Sequence, residues 1–527
     1  MSTTTVAALT SAIKDFDDKV FIEDGDLKLT FSDTQRLCHQ AAATLIGRGF
    51  ALGDRAAIWA PNISQWVLAA LAIHCAGGVV VPINSRFKGP EATDILAASA
   101  AKWLFSIGEF LNTDYPSQIE HSQLPQLEGI VVLRGTSKAL HSTWTDWLAE
   151  GQGQLSASPQ LVTERSALVS GDHPSDIIFT SGTTGKAKGV ITTHQQNLRT
   201  FTIWSDLVGL DQSDRYLIVN PFFHSFGYKA GILACLLKGC TLIPQLVFDV
   251  DQVLERIAAD KITMLPGPPT LYQSLLAHPK LNDYDLNSLT KATTGAAVIP
   301  TELIDNIRQR LGITTVLTAY GLSESCGLAT MCRHGDPSAT IASTSGRAIP
   351  GIEVACLDRD GRHCNADEIG EIVIRGFNVM QGYLDSPEAT AESIDTAGWL
   401  HTGDIGSLDS DGNLKITDRL KDMYISGGFN CYPAEIESSL NRHPSIVMSA
   451  VIGIAETLMG EVGAAFIQSA DPELDADAMH QWCRTNMANY KVPKHFIFVD
   501  SLPLNATGKI HKPTLRESWS KGQSTSL

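Results

Sequence analysis

"FTSGTTGKAKGV", residues 179–190, gathers three glycines, four hydroxyl-bearing residues and two lysines into twelve positions. Ile177-Ile178-Phe179 ahead of it is apolar and β-favouring, and Val190 to Trp204 reads as a strand end followed by a helix. Gly182, Gly185 and Gly189 let backbone N–H groups turn toward an anion. Thr180, Ser181, Thr183 and Thr184 add hydroxyl donors, and Lys186 and Lys188 add mobile positive charge. The Walker pattern fails: counting from Gly182, the sixth position is Ala187, and neither lysine precedes Ser or Thr. The spacing therefore points to a phosphate-binding loop of another kind, with a flexible surface turn as the alternative.

The surrounding chain is compatible with such a loop only if the loop supplies its own donors. A formal net charge of -17 argues against nucleic acid or an anionic membrane as partner, because phosphates would be repelled over most of the surface. With 43% hydrophobic and 18% charged residues, the composition is that of a globular protein. The ten cysteines are scattered without a C-x-x-C pair, which suits reduced, mostly buried thiols in a cytoplasmic protein. "MSTTTVAALTSAIKDFDDK" lacks a basic n-region and a continuous apolar run, so no signal peptide is expected. The apolar stretches near residues 67–83 and 230–244 are interrupted by His74, Gly77-Gly78 and Lys238, so no membrane span is expected.

At 527 residues the chain exceeds one core, and two or more domains are expected. Strand and helix patterns alternate: "LKLTFS" with a helix capped by Ser32 or Asp33, then "DRAAIWA", a helix from Ser64 to Ala76, and "GVVVPIN". The alternation returns with "CTLIPQ", a helix from Asp249 to Asp260, "ITMLPG" and a helix from Thr270 to Ala277. This pattern predicts an α/β fold with parallel sheets. Past residue 345, short strands with Gly and Asp turns predict an antiparallel subdomain. The charged "DRLKD" at 418–422 is a candidate hinge, giving an N-terminal domain at 1–420 and a small α/β domain at 421–527.

Four further stretches carry chemistry. "TAYGLSES" (318–325) presents Tyr320, Ser323 and Glu324 past the carboxyl end of an apolar strand, where open parallel sheets bind ligands. An aromatic there can stack on a base, and a carboxylate can hold Mg²⁺. "GWLHTGDIG" (398–406) sets Asp404 where it could accept ribose hydroxyls. "DRLKDMYISGGFNCYPAEIE" (418–437) joins the candidate hinge to Gly427-Gly428. "LPLNATGKI" (502–510) carries Lys509 in a glycine-flanked loop.

In this order and spacing the stretches resemble the acyl- and aryl-CoA synthetases of the adenylate-forming superfamily, over essentially the whole chain. Ala187 stands where that family's loop usually has proline, which removes no donor. The resemblance implies that Thr180 to Lys188 bind the phosphates of ATP. It implies that Gly295, Ala296 and Ala297 line the adenine and acyl site, that Tyr320 and Gly321 flank adenine with Ser323 nearby, and that Glu324 ligates Mg²⁺. Asp404 and Arg419 would hold the ribose, and Lys421 would be the hinge of a mobile C-terminal domain. Gly427 and Gly428 would border the coenzyme A tunnel, and Lys509 would reach the carboxylate and the α-phosphate.

"NPFFHSFGYKAGILACL" (220–236), "LPGPPTLYQSLL" (265–276) and "LKDMYISGGFNCYPAE" (420–435) look, within that superfamily, like the bacterial CoA ligases that activate a steroid CD-ring (methylhydrindanedione) propanoate in sterol breakdown. His224 would then lie near the reacting carboxylate, with Phe223, Tyr228 and Tyr272 in the acyl pocket. Lys229 is expected to be partly exposed, with contact to a ring ketone as the alternative. A medium-chain or aryl acid ligase, an adenylation enzyme loading a carrier protein, and a luciferase-like oxygenase share the nucleotide motifs. The resemblance leaves a homodimer open.

Overall fold

Short apolar runs become the strands of two sheets, because a strand buried on both faces needs no polar alternation. The computed structural model describes residues 2–138, 141–180, 187–295, 299–419, 422–426, 429–456, 459–487, 489–505 and 509–522. The chain forms two compact units, Met1–Val354 with Ile374–Leu400, and Ala355–Val373 with His401–Leu527.

In the first unit, one sheet has Arg55–Trp59 between Val79–Pro82 and Trp103–Ser106, all parallel, and continues in parallel to Gly129–Val132. On its other side Pro174–Thr180 runs parallel to Val79–Pro82. Lys188–Thr193 then folds back antiparallel to Pro174–Thr180, and Gly382–Tyr383 closes that edge. The second sheet centres on Arg215–Ile218, Met264–Pro266, Lys291–Thr294 and Thr315–Tyr320, again parallel. The expected α/β alternation is therefore present. The opening strand differs: Leu27–Thr30 pairs antiparallel with Val20–Asp24, and the helix cap is Thr30, not Ser32 or Asp33. Thr30 Oγ1 accepts the Asp33 N–H while the Asp33 carboxylate accepts the Thr30 N–H, a reciprocal cap that starts the helix at Phe31.

Helix Ser64–Cys75 contacts strands of both sheets, and every residue in it but Gln65 is buried. A helix apolar all round belongs between layers. In the second unit, strands Ile446–Glu456 and Gly460–Ser469 form a long antiparallel pair, joined by His495–Phe498 in parallel and covered by Pro433–Leu440, Ala476–Asn486 and Lys512–Ser520. Leu400–Leu408 and Leu414–Arg419 form an antiparallel pair within a four-stranded sheet, as the texture beyond residue 345 predicts. No helix among the described residues is long and apolar enough to cross a membrane.

The interlayer helix carries a histidine deep into the core. His74 Nε2 lies 2.6 Å from the Tyr228 hydroxyl, and its ring meets His194 edge-on at 4.8 Å. Burial pushes His74 down to about 4 and holds His194 well below the usual imidazole range. The folded protein thus refuses protons that an unfolded His74 accepts below its ordinary value of about 6.5. Stability is full above that value and falls as pH drops toward 4, by about 3 kcal/mol for His74. Urea midpoints should decrease between pH 7.5 and pH 5, and His74→Gln should flatten that slope. An unchanged slope in the variant would place the acid sensitivity elsewhere.

Candidate active site

The strands Pro174–Thr180 and Lys188–Thr193 flank the glycine-rich stretch expected to bind phosphate. Thr180 and Lys188 are cross-strand partners on either side of it, with the Thr180 hydroxyl 3.5 Å from the Lys188 carbonyl. Ser181, Gly182, Thr183, Thr184, Gly185 and Lys186 lie outside the described residues. Lys188 Nζ sits 4.9 Å from the centre of the Tyr383 ring, a cation–π distance. Tyr383 is placed there by the edge strand, where it pairs with Val190.

The Tyr383 hydroxyl donates to Glu324 Oε1 at 3.0 Å. Burial and the Glu324 charge push the phenol up, so it remains a neutral donor. Glu324 is fixed a second time by its backbone carbonyl, which accepts the Met380 N–H at 2.8 Å. Lys188, Tyr383 and Glu324 thus form one chain of contacts between the hairpin and the 323–325 turn, which also holds Ser323. Tyr383 was not legible in the sequence; nothing in "MQGYLD" marks it until the edge strand brings it to Glu324.

Tyr320 ends the strand Thr315–Tyr320, and Gly295 follows the neighbouring parallel strand Lys291–Thr294. The two lie at adjacent carboxyl ends, where the sheet architecture puts a ligand. Gly321 has a packing reason: a Cβ there would meet the Leu328 nitrogen at 2.4 Å. Ala296 and Ala297 lie outside the described residues.

The 220–228 segment is held by Asn62, which the sequence reading missed. Its side-chain amide donates to the carbonyls of Ile218 and Asn220 at 3.1 and 3.0 Å and accepts the Phe222 N–H at 2.8 Å. Beyond that clamp Phe223 is half-buried and His224 is exposed. His224 Nδ1 accepts the Phe226 N–H at 3.2 Å, which leaves the hydrogen of a neutral ring on Nε2.

Tyr228 and Tyr272 are buried more deeply than a pocket wall requires. Tyr228 reaches inward to His74, and the Tyr272 hydroxyl donates to the Leu265 carbonyl at 2.6 Å with no exposed surface. Lys229 overturns its expectation. It is fully buried, 3.0 Å from Asp176, because its helical turn points into the core where a carboxylate offsets its charge.

In the second unit, Asp404 is buried and its Cα partner across the antiparallel pair is Arg419. The Asp404 N–H donates to Thr402 Oγ1 at 3.1 Å, and Thr402 donates to the Ile372 carbonyl at 2.6 Å. Lys509 is exposed and exchanges two hydrogen bonds with Asn505: its N–H donates to Asn505 Oδ1 at 2.9 Å, and its carbonyl accepts the Asn505 N–H at 2.7 Å. Lys421, Gly427 and Gly428 lie outside the described residues.

No cluster of three or more His, Cys, Asp or Glu side chains suited to a metal occurs among the described residues. Glu324 nonetheless fits Mg²⁺, which commonly takes one or two carboxylates and fills its shell with phosphate oxygens and water.

Comparison with known proteins agrees with this geometry. Residues 9–384 match the AMP-binding enzyme family and residues 435–509 match the AMP-binding enzyme C-terminal domain. The chain is 47% identical over 98% of both chains to 3-[(3aS,4S,7aS)-7a-methyl-1,5-dioxo-octahydro-1H-inden-4-yl]propanoyl:CoA ligase of Mycobacterium tuberculosis. It is 46% identical to the ligase of the same name from Rhodococcus jostii, also over 98% of both chains. Among solved structures, the anthranilate CoA ligase AuaEII in complex with anthranoyl-AMP superposes with a TM-score of 0.87 at 27% identity, covering 99% of each chain. With its matched N-terminal and C-terminal regions and these relatives, the chain belongs to the AMP-binding enzyme family.

Proposed function

We propose that the protein is an ATP-dependent acid–CoA ligase whose acid is the bicyclic, methylhydrindanedione-type propanoate left from steroid rings. The observation that carries the ligase reading is the meeting of the hairpin, through Lys188 and Tyr383, with Glu324 beside the strand ends of Gly295 and Tyr320. The relatives from Mycobacterium tuberculosis and Rhodococcus jostii support the choice of acid.

The substrate carboxylate is ionised at neutral pH and needs no general base. One of its oxygens attacks the α-phosphorus of ATP; the bond from that phosphorus to the bridging oxygen breaks, and pyrophosphate leaves. The loop from Thr180 to Lys188 holds the β- and γ-phosphates through backbone N–H groups, hydroxyls and lysines. Tyr320 stacks on adenine, and Asp404 with Arg419 takes the ribose hydroxyls. Glu324 would hold Mg²⁺, which when bound would supply charge neutralisation at the phosphates, and the Tyr383 hydroxyl keeps that carboxylate oriented. Lys509 offsets charge on the carboxylate and α-phosphate as they approach, and His224 orients the carboxylate through Nε2–H. In the second step the coenzyme A sulfur bonds to the acyl carbon, the thiol proton passes to solvent, and AMP leaves. Gly427 and Gly428 admit the thiol arm, and Lys421 is the hinge by which the C-terminal part exchanges the two steps.

Phe223 is the acyl-pocket side chain with open surface, and Tyr228 and Tyr272 support the wall from behind. Ten cysteines outside any disulfide, nine of them buried, suit the cytoplasm.

Lys509→Ala should lower adenylate formation by roughly 10²–10³-fold while sparing thioester formation from supplied acyl adenylate. Equal loss in both half-reactions would refute that division. Lys421→Pro should do the reverse, since proline fixes φ near about -65° and a hinge must change its angles. Wild-type rates in both steps would remove residue 421 from the hinge.

The acid is tested by kcat/KM for the bicyclic propanoate against octanoate, palmitate and benzoate. The bicyclic acid should be preferred, though each methylene contributes only about 1–3 kcal/mol and some medium-chain turnover is expected. Preference for one of the simpler acids would contradict the steroid substrate and leave the ligase chemistry intact.

A further inference from the structure

Lys229 is the one lysine or arginine among the described buried residues, and it is 0% exposed, as is Asp176. Its Nζ lies 3.0 Å from Asp176 Oδ2 and 2.9 Å from Thr192 Oγ1. The Thr192 hydroxyl in turn donates to Asp176 Oδ2 at 2.9 Å. The other carboxylate oxygen receives Ser175 Oγ at 2.7 Å and Asn197 Nδ2 at 2.6 Å.

The members come from separate parts of the site. Asp176 and Thr192 are cross-strand partners in the hairpin that ends in the phosphate loop. Lys229 stands on the π-helical turn Tyr228–Leu233, which follows the Ser225–Gly227 turn capped by His224. Cys326, in the turn just past Glu324, has its thiol pushed up to about 12 by burial, and both Lys229 and Asp176 act on it. One desolvated ion pair therefore joins the phosphate hairpin to the acid-binding segment, next to the Glu324 turn.

Stability alone does not call for such a pair, since packed apolar residues in its place are often equally or more stabilising. A buried charge does forbid any arrangement that separates it from its partner. We propose that Lys229–Asp176, bridged by Thr192, is a positioning pair for adenylation: it fixes the phosphate hairpin against the segment that holds the carboxylate, and touches no substrate. This rests on the ligase reading above.

The test measures pyrophosphate release with the bicyclic propanoate in wild type, Thr192→Val, Thr192→Ser and the double variant Lys229→Met/Asp176→Asn, alongside Tm. Thr192→Val keeps both charges and removes the bridge. It should hold its Tm within a few degrees yet lose about 10-fold in kcat/KM for adenylation, and Thr192→Ser should recover most of it. The double variant, neutral and similar in volume, should lose about 10²-fold, as an ångström-scale misplacement does. Thioester formation from supplied acyl adenylate should change less than about 2-fold, because that intermediate already joins the two halves that adenylation must align. Should the double variant fail to fold, the Thr192 pair decides. Thr192→Val at the wild-type rate, or Thr192→Ser as impaired as Thr192→Val, overturns the proposal alone. A wild-type protein that releases no pyrophosphate with any acid overturns the ligase reading and the proposal with it.

Discussion

The antiparallel pairing of Pro174–Thr180 with Lys188–Thr193 is the interaction on which the rest of the site depends. On one side the hairpin is seated in a parallel sheet, with Asp176 opposite Val80. On the other, Val190 pairs with Tyr383, and that pairing brings a phenol to Glu324 and a ring under Lys188. A strand followed directly by a helix would give a loop one rigid support. The hairpin gives it two, at Thr180 and Lys188, and both are continuous with the core.

Charge explains why the support must be rigid. A chain of net charge -17 offers polyphosphate no general attraction, so binding energy comes from a few oriented donors. Oriented donors contribute most when they need no reorganisation at the moment of reaction. In the second unit, Asp404 and Arg419 are Cα partners across paired strands, and Asn505 and Lys509 exchange reciprocal hydrogen bonds.

Much of this was legible in the sequence. The strands Arg55–Trp59, Val79–Pro82 and Thr241–Pro244 contain the apolar runs Ala56–Trp59, Val79–Pro82 and Leu242–Pro244, so local pattern alone marks them and their alternation with helices. Tyr320 and Glu324 stand in a short glycine-bordered stretch at a strand end, whereas Asp404, expected after a strand, lies within Leu400–Leu408. Lys229, Asn62 and Tyr383 could not be read this way. Each acts through a partner distant in the chain: Asp176, the carbonyls of Ile218 and Asn220, and Glu324. A lysine in sequence reads as solvent-facing, because only folding reveals the carboxylate that offsets its desolvation. Tyr228 and Tyr272 read as pocket residues for the converse reason, since their hydroxyls gave no hint of His74 and the Leu265 carbonyl waiting in the core.

The central claim is that a carboxylate oxygen bonds to the α-phosphorus of ATP within this site. The most direct measurement uses the bicyclic propanoate labelled with ¹⁸O in its carboxyl group, with ATP and coenzyme A, and reads the mass of the AMP produced. Because the bridging oxygen stays with phosphorus when the thiol displaces AMP, the account predicts one ¹⁸O in each AMP formed. AMP without label, or label recovered in inorganic phosphate together with ADP, would contradict it.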